Sequence, residues 1–164
     1  MKLQLISIIS NNGATLNFEN DLTFEKTEFL GSVYEFLGPL HVVGKIENIS
    51  GSLLLTAEVN GKIKSECARC TKPLEFDISF GMRENLVQSE EDAEDAVLLD
   101  GTLLDLNETV MKNFYVNVPS KILCSSDCKG LCPHCGANRN EVGCGCEDDN
   151  IDPRLAVIDN LFKD

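Results

Sequence analysis

Residues 62–80 read KIKSECARCTKPLEFDISF, and the fold turns on how that stretch is parsed. Lys62-Ile-Lys-Ser-Glu66 has the pattern of a strand that delivers Cys67-Ala-Arg-Cys70 at its end. Beyond the cysteines Leu74, Phe76, Ile78 and Phe80 alternate with Glu75, Asp77 and Ser79, the period-two signature of a returning strand. A C-x2-C turn therefore caps an antiparallel pair. Upstream, Leu53, Leu55, Ala57 and Val59 share one face of another period-two segment, and Asn60-Gly61 after it reads as a type I′ hairpin turn, in which both central residues need φ > 0. His41 to Asn48 predicts a further strand, closed by a turn at Ile49-Ser-Gly51. His41 reads as a surface residue on a strand edge with no ligand partner nearby. Residues 1 to about 37 carry fewer signals: an opening strand over Met1–Ser10 and a turn at Asn11-Asn12-Gly13. The first ten residues fit a strand better than a signal peptide, because Gln4 and Ser7 interrupt a short apolar part and no small-residue cleavage site follows.

Downstream of the strand pair, residues 84 to 100 hold Glu84, Glu90, Glu91, Asp92, Glu94, Asp95 and Asp100 without one basic residue, which reads as a solvated loop. Asp105-Leu-Asn-Glu108 fits a capping box, and Leu103, Leu106, Val110, Met111, Phe114 and Tyr115 recur at three- and four-residue steps, so a helix is expected over Leu103–Val118 with Pro119 ending it. A final helix is expected to start with Asp152 as N-cap and Pro153 in its first turn, burying Leu155, Ile158, Leu161 and Phe162. The expected class is α+β: an antiparallel meander of residues about 38 to 82, covered by a helix, with a C-terminal cysteine-rich zinc-knuckle segment and a final helix. Residues 1–122 form the β-rich part and residues 123–164 the cysteine-rich segment packed on it.

The second cysteine stretch, Cys124 to Cys146, reads CSSDCKGLCPHCGANRNEVGCGC and holds six of the eight cysteines. Its pairs are Cys124/Cys128, Cys132/Cys135 and Cys144/Cys146, and Cys67/Cys70 supplies a fourth. Four short-spaced pairs are enough for two tetrahedral four-thiolate sites, since a C-x2-C turn presents two sulfurs about 2.3 Å from one zinc ion. Loop closure favours one site on Cys132, Cys135, Cys144 and Cys146, whose knuckles are eight residues apart, and a long-range site on Cys67, Cys70, Cys124 and Cys128. A single zinc site and a disulfide framework are the alternatives from spacing alone. A redox dithiol at Cys132-Pro-His-Cys135 lacks its context, because no apolar-periodic helix follows and no βαβ pattern precedes it. His134, between two ligands, is expected to point outward.

The 164 residues are 43% hydrophobic and carry 14 Lys and Arg against 27 Asp and Glu, a formal net charge of −13. Two four-thiolate zinc sites would take this to roughly −17. Such a chain repels phosphate, so nucleic-acid contact needs a local basic face and basic protein partners are favoured. The one local candidate is the hairpin around the first knuckle, where Lys62, Lys64, Arg69 and Lys72 cluster against Glu66. No apolar run approaches the roughly 20 residues of a membrane span. With eight cysteines read as metal ligands, the expected compartment is the reducing cytoplasm.

Cys67-Ala-Arg-Cys70 ending a strand, the acidic loop, the Leu103–Val118 helix, Leu131-Cys-Pro-His-Cys-Gly136, Asn140, Cys144-Gly-Cys146 and Asp152-Pro-Arg-Leu-Ala156 together resemble the YceD family, the large ribosomal-RNA subunit accumulation proteins. The similarity covers about residues 38 to 162. It implies a bacterial cytoplasmic, non-catalytic factor needed for accumulation of 23S ribosomal RNA and large-subunit assembly, binding the RNA or a basic ribosomal protein. It also implies divisible cysteine sites, since some members keep the Cys67/Cys70 motif and a ligand pair near Cys124/Cys128 but lack the four downstream cysteines. The competing class is a zinc-dependent RNA-acting or thiol-redox enzyme. An enzyme needs a nucleophile with a positioned base or an open metal position, and closed sites would consume all eight cysteines.

Overall fold

The computed structural model describes residues 1–89 and 96–146. In chain order its elements are β1 (Lys2–Gln4), α1 (Ile6–Ile9), β2 (Thr15–Leu22), β3 (Thr27–Phe29), β4 (Ser32–Phe36), β5 (Leu40–Ile49), β6 (Ser52–Glu66), β7 (Pro73–Val87), β8 (Val97–Leu98), β9 (Leu103–Asp105) and α2 (Leu106–Asn117). The architecture is mostly antiparallel sheet with few helices. The final helix expected from Asp152 lies outside the described residues, as does residue range 90–95 of the acidic loop.

The centre of the sheet is β6, a 15-residue strand. On one edge it pairs with β7 along nearly its whole length, from Leu53↔Leu86 to Glu66↔Pro73. On the other edge it is shared: β5 pairs with residues 52–60 and β4 with Ile63 and Lys64. β2 flanks β5, β3 flanks β4, and β8 joins β7 in the one parallel pairing among the described residues. The meander read from the sequence is therefore β5-β6-β7, and it gains β2, β3 and β4 from the chain's first third.

Asn60-Gly61 is not a turn. Neither residue has positive φ, and the ladder runs straight through them as His41↔Asn60 and Gly61↔Ile78. Glycine serves a different purpose there, because a Cβ on Gly61 would stand 2.3 Å from Cδ2 of the fully buried Leu40. The strands reverse instead at Ser50-Gly51, both left-handed (φ 54° and 93°), as the reading of Ile49-Ser-Gly51 expected. The same geometry at Leu30-Gly31 (φ 50° and 76°) joins β3 to β4, which the sequence did not announce because leucine rarely takes a positive φ.

The opening strand is also shorter than expected. Only Lys2–Gln4 pair, with β9, and the chain then makes the single helical turn α1. Leu5 and Ile8 are thereby buried in the core, and the buried Asn48 amide donates to the Ile8 carbonyl at 2.8 Å. The α2 helix starts at Leu106 rather than Leu103, since Leu103–Asp105 are taken by the pairing with β1. The Asp105 side chain accepts from the backbone N–H groups of Asn107 and Glu108 at 3.0 and 3.3 Å, the expected N-cap.

The inward face of β7, with Phe76, Ile78 and Phe80, meets Phe114, Val118, Tyr34 and Ile63 in one apolar cluster. Leu106 and Val110 of α2 join the larger core around Leu40, Val42, Ile46, Leu55 and Val59. Tyr34 hydroxyl donates to the Pro119 carbonyl at 3.2 Å, which fixes where α2 releases the chain toward the cysteines.

Candidate metal centres

Cys67 follows the last residue of β6, and Pro73 opens β7, so the first C-x2-C knuckle sits at the end of the longest strand pair. The chain leaving α2 is drawn across this knuckle, with Ala68 N–H donating to the Ile122 carbonyl at 2.8 Å, and so brings Cys124 and Cys128 to it. The second knuckle, Cys132–Cys135, begins four residues later, and Cys144 and Cys146 return to it. Among the described residues the eight cysteines thus form two groups, Cys67/Cys70/Cys124/Cys128 and Cys132/Cys135/Cys144/Cys146. Within each group every sulfur lies within 4.8 Å of the others.

The two knuckles share one backbone pattern. Cys67 N–H donates to the Lys72 carbonyl and Thr71 N–H to the Cys67 carbonyl, each at 2.9 Å. Cys132 N–H donates to Ala137 and Gly136 N–H to Cys132, each at 2.8 Å. Both turns need a left-handed residue after the second cysteine, supplied by Thr71 (φ 57°) and Gly136 (φ 73°).

The donor sets fit a metal ion. A tetrahedral site with metal–sulfur bonds of about 2.3 Å places its sulfurs about 3.8 Å apart. Cys67 Sγ is 3.8 Å from Cys128 Sγ and Cys70 Sγ is 3.6 Å from Cys124 Sγ. All eight thiols are unbridged, so the disulfide framework has no pair here.

Electrostatics within each group point the same way. Burial pushes the Cys67 thiol up, but the backbone N–H groups of Arg69, Cys124 and Cys70 more than offset it and hold it down to about 6. Backbone N–H groups of Cys135 and His134 likewise lower Cys132 to about 6. In contrast Cys124, facing the side chains of Cys128 and Cys70, is pushed up to about 12, and Cys146, facing Cys135, also to about 12. Each group readily holds some thiolates and resists the last, because negative sulfurs this close repel one another; a cation among them removes the conflict.

The settings of the groups differ. Cys67, Cys70 and Cys128 are 1%, 4% and 2% exposed and pack with Leu74 and Leu123. In the second group Cys132 is buried, Cys144 and Cys146 are half-buried and Cys135 is exposed. His134 is exposed between its cysteines, as expected.

Two of the basic residues around the first knuckle have acidic neighbours. Lys62 Nζ is 3.7 Å from Asp77 and Lys64 Nζ 3.5 Å from Glu35, while Arg69 donates to the Cys128 carbonyl at 2.8 Å. Lys72 is exposed beside the knuckle. His41 is inside the sheet between β2 and β6 rather than at its edge, and its ring faces Asp21 at 2.8 Å and Glu19 at 3.5 Å. Parts of the acidic stretch are structural: Glu84, in β7, accepts from Asn113 at 2.7 Å, and Asp100 pairs with Lys2 at 2.8 Å.

One participant carried no chemistry in the spacing argument. Asn140, between Cys135 and Cys144, donates through Nδ2 to Cys128 Sγ at 3.3 Å. The available signal was two asparagines in the short Gly-Ala-Asn-Arg-Asn loop, residues that fold back on nearby backbone.

Residues 55–162, which include every cysteine, match the family model described as "Large ribosomal RNA subunit accumulation protein YceD". The chain belongs to the YceD family. An uncharacterized protein of Mycobacterium leprae is 29% identical over 138 residues, 79% of this chain and 62% of its own length. An uncharacterized protein of Mycobacterium tuberculosis strain H37Rv is 30% identical over 121 residues, 70% of this chain and 58% of its own. The uncharacterized protein YlbN of Bacillus subtilis is 23% identical over 153 residues, 90% and 89% of the two chains. The chain thus spans about three fifths of the mycobacterial relatives' length. No solved structure matches the chain. No described helix is long and apolar enough to cross a membrane.

Proposed function

We propose that this YceD-family protein is a non-catalytic ribosome biogenesis factor, needed for accumulation of 23S ribosomal RNA and assembly of the large subunit in the cytoplasm. The observation that carries this reading is the family match over residues 55–162, which takes in both cysteine groups. Each group holds a structural zinc ion: four thiolates at tetrahedral spacing suit zinc and leave no open coordination position for catalysis. Residues 1–122 act as the β-rich body and residues 123–164 as a metal-stapled segment.

The direct partner is a basic large-subunit protein, with ribosomal RNA contacted secondarily. The formal charge of −13 attracts a basic polypeptide. Lys62 and Lys64 already face carboxylates and Arg69 a carbonyl, so this hairpin has little positive charge left for phosphate. Crosslinking in cells followed by identification of what is bound tests this directly. A basic ribosomal protein as the main product is expected, and exchange of Lys62, Lys64 and Lys72 for Glu should leave that product in place. Recovery mainly of RNA, lost in the triple variant, would make the hairpin the primary contact. Unchanged large-subunit RNA levels after loss of the protein would end the assembly reading. Cleavage of RNA by the metal-loaded protein would instead establish the enzyme alternative.

A further inference from the structure

The two cysteine groups are in direct contact through polar side chains and backbone. Asn140 belongs to the loop that the second group closes, yet its Nδ2 donates to the sulfur of Cys128 in the first group at 3.3 Å. The same side chain is held from two sides: its Oδ1 accepts from Lys129 N–H at 2.8 Å, and its Nδ2 also reaches Asn138 Oδ1 at 2.9 Å. Arg139 N–H donates to the Gly130 carbonyl at 2.9 Å, so the loop is clamped onto the segment joining Cys128 to Cys132. From the other side Leu131 N–H donates to the Arg69 carbonyl at 3.0 Å, and the Arg69 guanidinium donates to the Cys128 carbonyl. At Gly130 the backbones approach closely: a Cβ there would lie 3.0 Å from the Arg69 carbonyl oxygen, and φ is 73°.

We infer that Asn140 is a positioning residue that links the two metal sites, so that metal in the Cys132/Cys135/Cys144/Cys146 group strengthens metal retention in the Cys67/Cys70/Cys124/Cys128 group. The physical route is short. Closing the second group holds residues 136–143 as a fixed loop; the fixed loop aims an N–H at Cys128 Sγ; and an outer donor of this kind orients a metal ligand and strengthens its hold. Without metal in the second group the loop keeps only its hydrogen bonds to Lys129, Gly130 and Cys132, and the donor is held less firmly on the sulfur. Linkage is reciprocal, so metal in the first group also favours loading of the second.

This inference rests on the reading that both groups hold metal, and the test separates the two. The zinc-loaded full chain is challenged with a chelator in the presence of a thiol alkylator, and each cysteine's modification rate is read by peptide mass spectrometry. In the unaltered chain Cys135, Cys144 and Cys146 should react first and Cys67, Cys70 and Cys128 last. Asn140→Ala should accelerate alkylation of the first group about tenfold, the size of effect expected when an outer partner of a metal ligand is lost. The second group loses no direct donor and feels the change only through the linkage, so it should accelerate less than the first. Asn140→Asp keeps the acceptor for Lys129 N–H but puts a carboxylate oxygen where the N–H met the sulfur, and should accelerate the first group at least as much as Asn140→Ala. Cys144→Ser with Cys146→Ser should also accelerate the first group, and adding Asn140→Ala to that pair should contribute little more. Unaltered rates at Cys67, Cys70 and Cys128 in Asn140→Asp would overturn the inference, as would equal acceleration of both groups. Absence of bound metal from the unaltered chain would overturn the metal reading itself, and is seen before any variant is made.

Discussion

The two C-x2-C knuckles have the same hydrogen bonds and different surroundings. Cys67–Cys70 closes the longest strand pair, is almost fully buried and receives its other two cysteines from the chain beyond α2, 54 and 58 residues on from Cys70 by sequence number. Cys132–Cys135 is held to Cys144 and Cys146 by a loop of eight residues and stands largely at the surface. Identical local geometry therefore serves two purposes. The first group stands where the end of the sheet meets the chain leaving α2, whereas the second lies within its own segment and touches its neighbour through Asn140.

The strongest test of that contrast is Cys67→Ser. Loss of the first site removes the only tie among the described residues between β6-β7 and Cys124/Cys128 that a metal would make, so thermal unfolding should fall by at least about 15 °C or lose cooperativity. A melting curve like that of the unaltered chain would show that the sheet does not depend on the metal. Gly44→Ala attacks the sheet instead: its Cβ would stand 2.4 Å from Ala57 Cβ and 2.6 Å from the Thr56 carbonyl oxygen, inside the β5-β6 pairing. Overpacking of this kind costs about 1–3 kcal/mol, or roughly 3–10 °C, and should expose Cys67 to alkylation without hastening Cys135.

Cys146→Ser should lose one of two zinc ions by native mass spectrometry, lower the melting temperature by no more than about 5 °C and leave Cys67 much slower to alkylate than Cys132. Full alkylation of Cys67 in that variant would show that the cysteines are shared differently. Asp105→Ala removes the α2 N-cap at about 1 kcal/mol, a drop of about 2–4 °C measurable by calorimetry. The smallest change compares the knuckles directly. Thr71 is a β-branched residue at the left-handed position that Gly136 fills in the other knuckle, a conformation costing such residues on the order of 1 kcal/mol. Thr71→Gly should therefore be neutral to stabilising by up to about 1 kcal/mol in chemical denaturation, although it loses the Thr71 hydroxyl bond to the Cys70 carbonyl. A clear loss of stability would mean that this hydroxyl outweighs the strain.

Much of the candidate site was legible in the sequence because metal ligands betray themselves by type and spacing: the cysteine pairs, and their division into a local and a long-range group, needed only loop lengths. The strands around Cys67 were legible for a similar reason, since alternation of Leu74, Phe76, Ile78 and Phe80 marks a half-buried ribbon. Asn60-Gly61 was misread because the dipeptide's turn preference is local, while Leu40 packing over Gly61 is a contact between strands. Helix α2 lost its expected first turn to a pairing with β1, about a hundred residues away in the chain.

The sequence by itself determined the elements whose cause is short-range: strand periodicity, the Asp105 cap, the Ser50-Gly51 reversal and the two knuckles, each set by neighbouring residues. Only the tertiary structure decided how β6 divides one edge between β5 and β4, which charges neutralise Lys62 and Lys64, and that Asn140 of one cysteine loop reaches the sulfur of the other group. Those outcomes depend on which distant segments the buried core brings within hydrogen-bonding range, and no local pattern of residue types encodes a distance of that kind.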